Sequence, residues 1–183
     1  MLGGRRTEGV SFLGIGGELS AQVAEYDWSA TALGPHEQWP PTLRTTLATV
    51  LASPFAMMLA WGPELITFYN DAYRPILGAR SDALGRPFLE VWPEARDVLA
   101  PLLERALAGE ACRFADAPFT LLRNGEPEEA FFDFAFSPVR DESGAIVGVM
   151  NIAVETTGRV MAERARLESE RRLSERGRRA SGG

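Results

Sequence analysis

The chain has 183 residues, 45% of them hydrophobic and 24% charged, which is typical of one globular domain with appended helices. Its formal net charge of −6 argues against a general nucleic-acid-binding protein. The single cysteine cannot form an internal disulfide, and no apolar run approaches the roughly 18 residues that a membrane helix needs. We therefore expect a cytoplasmic protein without membrane insertion.

The first part of the chain, residues 1–40, predicts an N-terminal cap segment that is partly flexible and partly helical. Residues 1–17 are rich in glycine, GELSAQVAEYDW predicts a short helix, and a proline-rich irregular connector follows. Residues 41–53 then have apolar side chains at helical spacing, and Pro41 suits the first turn of a helix. We place the start of the main domain, residues 41–157, at this helix.

From Pro54 onwards the pattern becomes that of strands and short helices. FAMMLAW and LITFY are short apolar runs joined by GPE, which predicts a β-hairpin. In the stretch NDAYRPILG, Asn70 is placed to cap a short helix and Gly78 to end it.

The stretch EARDVLAPLLERALAG predicts the clearest helix of the domain, with Gly109 at its end. Its predicted apolar face consists of Val98, Leu99, Leu102, Leu103, Ala106 and Leu107.

Three strand-like stretches complete the domain, separated by the turn sequences NGEPEE and DESG. In the middle stretch Phe132, Phe134 and Phe136 alternate and therefore share one face. Two strands, several helices and three further strands in this order predict an α+β domain with one five-stranded antiparallel sheet.

Residues 158–183 predict a charged C-terminal helix and tail. Residues 159–183 hold eight arginines against four glutamates, a balance of +4, so the rest of the chain carries −10. The signs alternate, which indicates a solvated helix. Val160, Leu167 and Ser174 lie seven residues apart, but arginines at the companion positions make this a poor coiled-coil seam.

This order of elements, with the motifs that it contains, resembles a PAS sensor domain of a bacterial sensor histidine kinase. The resemblance depends on AWGPELITFYNDAYRPILG (60–78), ALGRPFLEVWPE (83–94) and FSPVRDESGAIVGVMNIAVETT (136–157). It covers residues 54–157, and the segment from residue 25 resembles the one that precedes the domain in many such kinases. It implies the PAS fold, in which short helices cover one face of the sheet, and a C-terminal signalling helix.

Cys112-Arg113-Phe114 has the letters of a triplet found in LOV domains, the light-sensing PAS domains whose cysteine adds to a photoexcited flavin. In that family the cysteine follows Gly-Arg-Asn, whereas here Gly85-Arg86 is followed by Pro87 and Phe88. We therefore expect no cysteinyl-flavin photochemistry. Because neighbouring side chains on a strand point to opposite faces, we expect a structural Cys112; the alternative is a redox-reactive thiol whose thiolate Arg113 favours.

Haem, metal and catalytic sites have few candidate residues. Haem-binding PAS domains use a histidine on the long helix, but the only histidine, His36, lies in the connector. Structural zinc needs about four Cys or His ligands, and the chain has two such residues. Without a serine in a recognisable acid–base order either, we expect no catalytic residue and no metal, and any kinase activity would lie outside this chain.

The resemblance implies a small-molecule pocket between the short helices and the sheet. The positions that match are Tyr69, Asn70, Tyr73, Phe88, Trp92, Phe119 and Phe134. Asn70 or Tyr73 would anchor a polar group, and the pocket would suit a non-covalent flavin or a small apolar ligand. The alternative is a core filled by its own side chains.

The function that the resemblance implies is that of a sensory module in two-component signalling. Such a module binds a small ligand or a partner, forms a homodimer and transmits its state to a C-terminal output domain, here a histidine kinase. The alternative is a ligand-free module for dimerisation or protein interaction.

Overall fold

The computed structural model describes residues 13, 17–80, 82–123 and 125–180, without the side chains of residues 177, 179 and 180. The loose start predicted for residues 1–17 therefore lies outside the described residues, apart from Leu13 and Gly17. Within the described residues no helix is long and apolar enough to cross a membrane.

The described chain forms helices and strands in the predicted order. The helices are α1 Glu18–Glu25, α2 Pro41–Ala52, α3 Arg74–Leu77, α4 Phe88–Val91, α5 Arg96–Leu107 and α6 Thr157–Ala180. The strands are β1 Ala56–Trp61, β2 Ile66–Tyr69, β3 Cys112–Arg123, β4 Glu126–Arg140 and β5 Ile146–Glu155. All five strands join one antiparallel sheet in the order β2-β1-β5-β4-β3, which confirms the predicted α+β class.

The sheet has an inner and an outer face that are set by the register of its strands. Asn151 of β5 lies opposite Met58 of β1 and Phe136 of β4, and these residues belong to the inner face. The next residues along, among them Leu59 and Met150, belong to the outer face because side chains alternate along a strand. Helices α3, α4 and α5 cover the inner face, as predicted.

The N-terminal segment packs on the outer face, over β1 and β2. Trp28 and Trp39 are each 2% exposed, and their rings lie 4.9 and 5.5 Å from that of Phe68. Each indole N–H is satisfied by a carbonyl, that of Val23 at 2.7 Å and that of Gly34 at 3.1 Å. Because both tryptophans are buried with their polar atoms paired, the connector is fixed although it is irregular.

Asn70, at the end of β2, joins three parts of the fold through its side-chain amide. Its Oδ1 accepts hydrogen bonds from the backbone N–H groups of Met57 (3.1 Å) and Tyr73 (3.2 Å), which confirms the predicted helix cap. The two hydrogens of its Nδ2 are shared among three carbonyls, that of Val50 in the last turn of α2 and those of Ser53 and Phe55 before β1. The side chain thereby ties α2, β1 and the first turn of the short helices together.

The long helix α5 corrects one prediction. Leu99, Leu102 and Leu103 are buried with Ala106, as expected, but Val98 is 60% exposed and Leu107 39% exposed. At 100° per residue these two positions lie about 90° to either side of the centre of the buried stripe, so they border it.

Replacing Asn70 tests its structural role. We expect Asn70→Ala to lower the free energy of unfolding by about 3 kcal/mol, because buried backbone groups lose their partner. In the control Thr67→Val, the replaced hydroxyl is buried without a partner among the described residues, so stability should be unchanged or about 1 kcal/mol higher. Urea unfolding followed by circular dichroism measures both, and an equal loss in the two variants would contradict this role of the amide.

Candidate functional site

A cavity of about 50 Å³ lies between the inner face of the sheet and the short helices. Its walls come from β3, β4, β5, α3, α4, α5 and the turns beside them. The lining residues are Tyr73, Ile76, Phe88, Trp92, Leu99, Phe119, Leu121, Phe132, Phe134, Phe136, Asn151 and Ala153. None of these side chains is charged, so the cavity is suited to an apolar ligand or to the apolar part of one.

The floor of the cavity is a set of interlocked aromatic rings. Because Phe134 and Phe136 alternate on β4, both reach the inner face, with ring centres 5.8 Å apart. Phe134 also stacks on Phe114 at 5.0 Å and meets Phe119 edge-on at 5.6 Å. Phe88 of α4 closes against Phe136 from above at 6.2 Å. Aromatic pairs prefer such geometries, so these ring contacts hold β3, β4 and α4 in fixed positions relative to one another.

Five of the seven residues predicted to form the ligand site line this cavity, namely Tyr73, Phe88, Trp92, Phe119 and Phe134. Asn70 does not, and its amide is occupied by backbone groups, so it is not available as a polar anchor. Tyr69 borders a surface crevice with Glu18 and Arg74 instead. We therefore leave Asn70 and Tyr69 out of the candidate site.

Asn151, which is absent from the residues predicted to form the site, lines the cavity and is 3% exposed. Its Nδ2 donates to the Ala135 carbonyl at 3.0 Å, and its Oδ1 accepts no hydrogen bond from the described residues. A lone polar residue within the apolar run AIVGVMNIAV was the signal that could have identified it. Tyr73 is the other polar side chain of the wall, and burial raises the pKa of its phenol, so the hydroxyl stays neutral.

Trp92 separates the cavity from solvent on the α4 side. Outside it, the guanidinium of Arg80 lies 4.4 Å from the ring centre, and Arg80 also pairs with Glu94. Burial lowers the pKa of Arg80 without depriving it of its charge. The tryptophan is thereby held between the apolar cavity and a cation.

Cys112 and His36 both lie away from the cavity lining. Cys112 is buried, with Sγ 3.9 Å from the Leu102 carbonyl oxygen, whereas its neighbour Arg113 is exposed on the other face of β3. His36 lies in a helical turn of the connector and meets Trp39 edge-on at 6.3 Å. Over the described range of the chain, no three His, Cys, Asp or Glu residues are grouped so that they could hold a metal.

A second cluster lies where the chain leaves the sheet for α6, and we call its four residues, Asp116, Asp133, Thr156 and Arg159, the exit cluster. The β3–β4 register shifts between Phe114 and Ala117, and Asp116 in this bulge has a φ of +50°. Its carboxylate accepts from the Thr156 hydroxyl at 2.7 Å and from the Arg159 guanidinium, and its N–H donates to Asp133 at 2.8 Å. A bulge in β3, the strand that also contributes Phe119 and Leu121 to the cavity wall, thus binds the base of α6.

Two further contacts fix the end of β5 beside this cluster. Arg123 of β3 and Glu155 form an ion pair with an Nη2–Oε2 distance of 2.7 Å. The hydrogen bond from Arg123 lowers the pKa of Glu155. The Thr157 hydroxyl accepts the N–H of Phe131 at 2.9 Å, so the first residue of α6 is bound to β4.

Beyond its first two turns α6 leaves the body of the domain. Arg164 lies over the ring of Phe131 at 4.6 Å and pairs with Glu129 at 3.2 Å. From Ala165 to Arg176 every residue is exposed. Three arginines there, Arg166, Arg171 and Arg172, pair with glutamates of the same helix.

The chain belongs to the PAS fold family, whose pattern residues 62–178 match. This agrees with the strand order, the short helices over the inner face and the cavity beneath them. No curated protein matches the chain.

Among solved structures, the chain is similar to the PAS domain of Bordetella pertussis BvgS, with a TM-score of 0.52, 18% identity and coverage of 72% of this chain and 99% of that one. The chain is also similar to the phage VqmA–DPO complex, with a TM-score of 0.50 and 16% identity, over 69% of this chain and 58% of that one. For an RNA-binding light-oxygen-voltage receptor the TM-score is 0.49 and the identity 19%. The match covers 78% of this chain and 43% of the receptor's length. At these identities the likeness shows the fold alone.

The Arg123–Glu155 pair predicts a dependence of stability on pH. Because the pKa of Glu155 is lowered in the folded state, its stabilisation is present above the unfolded pKa, about 4.3, and is lost as pH falls through the lowered value. We expect Arg123→Met to be less stable at neutral pH and to lose less stability on acidification than the unchanged protein. Urea unfolding between pH 3 and pH 7 measures the difference.

The matched control is Arg166→Met, since Arg166 is 56% exposed in its ion pairs and Arg123 only 23%. Exposed pairs stabilise little, so this variant should follow the unchanged protein at every pH. Parallel behaviour of all three proteins would contradict a stabilising role of the Arg123–Glu155 pair.

Proposed function

We propose that this PAS domain is a sensory module in which the state of the inner cavity sets the position of α6, and thereby the activity of a C-terminal output domain such as a histidine kinase. The single observation that best supports this is the double role of β3. Its side chains Phe114 and Phe119 pack into the aromatic floor, and Asp116 between them binds the base of α6.

Only one residue, Phe114, separates Phe134 in the cavity from the bulge that holds Asp116. Phe114 is stacked on Phe134, and the register shift begins at the same residue. A displaced Phe134 therefore moves the bulge, and with it the carboxylate of Asp116. Because packed cores have discrete arrangements and do not deform continuously, a small change in the cavity is expected to switch the exit cluster between positions.

Helix α6 has the properties of an output element. Its 24 residues span about 36 Å, well beyond the sheet. Helices in proteins gain most of their stability from packing, and the exposed Leu167 and Leu173 of α6 have no cover from the domain. Both facts favour continuation into a following helical module and pairing with a second α6.

A homodimer is part of the proposal, and the outer face supplies the contact surface. Phe55, Ile152 and Val154 are 57%, 36% and 45% exposed. Since Ala56 pairs with Ala153, the preceding Phe55 lies beside Val154, and the three side chains form one apolar patch next to the base of α6, bordered by Asp133 opposite Val154. A second copy fits it because a two-fold contact matches a patch with itself, and a two-fold axis parallel to α6 would send both α6 helices out at one end.

In this proposal the module has no catalytic role, binds no nucleic acid and works in the cytoplasm, where reducing conditions suit a lone cysteine. The cavity of about 50 Å³ is far below the ~300–1,000 Å³ of typical ligand sites. That volume favours a small ligand over a flavin, whose three fused rings need far more room. It also supports the second candidate, a ligand-free module for dimerisation or protein interaction.

Filling the cavity tests the sensory function without knowledge of the ligand. We expect Ala153→Val, which adds two methyl groups to the wall, to change amide exchange at residues 157–165 at least twofold, because the aromatic floor shifts the exit cluster. With Asp116→Asn added, the response should largely disappear. Hydrogen–deuterium exchange with mass spectrometry measures both effects.

The control for this experiment is Ala135→Val, which enlarges an outer-face side chain of the neighbouring strand. It should leave exchange at the base of α6 unchanged. An equal response in the control, or none in Ala153→Val, would count against the sensory module and in favour of the ligand-free candidate.

Charge on the outer patch tests the homodimer. We expect Ile152→Glu combined with Phe55→Glu to reduce the mass in sedimentation equilibrium from that of a dimer to that of a monomer, because two carboxylates would be buried in the contact. Val98→Glu, on the exposed edge of α5, is the control and should remain dimeric. A dimer that survives the double substitution would show that its contact lies elsewhere.

A further inference from the structure

The cavity wall combines an apolar surface with two polar groups that the fold does not use. Asn151 is 3% exposed, and its Oδ1 accepts no hydrogen bond from the described part of the chain. Tyr73 is 5% exposed, and its hydroxyl likewise has no hydrogen-bonding partner among the described residues. A ligand group that hydrogen-bonds to these two atoms inside the cavity gains affinity from those bonds.

The assignment of the Asn151 amide follows from its neighbour. A carbonyl can only accept, so the atom that faces the Ala135 oxygen at 3.0 Å must be the nitrogen. The carbonyl oxygen of the amide and its second N–H are therefore the groups that remain for a ligand. Together with the Tyr73 hydroxyl they offer both an acceptor and donors.

We propose that the cavity binds a small uncharged molecule whose apolar body lies on the phenylalanine floor and whose single polar group, such as a hydroxyl, hydrogen-bonds to Asn151 and Tyr73. This inference rests on the proposed sensory function, because it names the ligand class of the same cavity.

The volume and the lining residues of the cavity also limit the size and the charge of the ligand. A volume of about 50 Å³ holds three to four water molecules, which corresponds to a ligand, or the buried end of one, of about four heavy atoms. An anion is disfavoured because no lining side chain is a cation. Burial also raises the pKa of Tyr73, so the site disfavours a negative charge on its own phenol.

Three probes with four heavy atoms around one branched carbon separate these properties. They are 2-propanol, which is uncharged with one hydroxyl, isobutane, which is wholly apolar, and acetate, which is an anion. We expect 2-propanol to cause saturable NMR shifts at Asn151, Tyr73 and Ala153 with a Kd of roughly millimolar size, since so small a ligand buries little surface. Acetate should cause none at equal ionic strength.

The variant Asn151→Leu keeps the size of the side chain and removes its polar atoms. We expect it to weaken 2-propanol binding at least tenfold, because one buried hydrogen bond is lost, and to leave isobutane binding within twofold. Retained isobutane shifts at Ala153 also establish that the variant is folded. Tyr73→Phe should weaken 2-propanol binding in the same direction.

Three outcomes would contradict the proposed ligand class. Equal binding of 2-propanol to both proteins, binding of acetate, or failure of every probe to enter would overturn it. The Ala153→Val exchange experiment is independent of these probes. A response of α6 there, together with a failed probe series, would leave the sensory function in place and reject only this ligand class.

Discussion

The buried amide of Asn70 is the interaction on which the architecture depends. Five backbone groups from α2, β1 and the turn after β2 find their partner in this one side chain. Without the amide, the Met57 N–H and the Ser53 and Phe55 carbonyls would lose this partner, whereas the Val50 carbonyl and the Tyr73 N–H each keep a backbone hydrogen bond. With it, the chain passes from the outer face through the hairpin to the short helices that cover the cavity. The residue that resembled a ligand anchor is the one that positions the true lining residues.

The two faces of the sheet are used differently. On the outer face, Trp28 and Trp39 cover β1 and β2 but leave Ile152 and Val154 of β5 exposed. On the inner face, aromatic rings fill all but a small volume. Strand β5 takes part in both, because its alternate residues face the cavity and the exposed patch. The proposed ligand site and the proposed dimer contact therefore share one strand, which ends at the base of α6.

Much of this fold could be predicted from local patterns. The GPE hairpin, the cap at Asn70 and the alternation of Phe132, Phe134 and Phe136 each depend on neighbours in sequence, and each is confirmed. The register that puts Asn151 opposite Phe136, and the bulge that brings Asp116 to Arg159, depend on contacts between distant strands. No periodicity encodes such contacts. For the same reason, Asn70 and Tyr69 were indistinguishable from lining residues until β2 was placed at the edge of the sheet.

The intrahelical ion pairs of α6 bear on how strong a stimulus the protein needs. Arginines that are satisfied within their own helix, such as Arg166, have little charge left to hold a neighbouring helix, and the apolar residues available for pairing are few. Alternative arrangements of two such helices are therefore close in energy. A ligand can shift an equilibrium only by the difference between its affinities for the two states, and a small ligand has little to offer. In the proposed dimer, a weakly held pair of α6 helices and a cavity with room only for a small ligand would therefore be matched in energy.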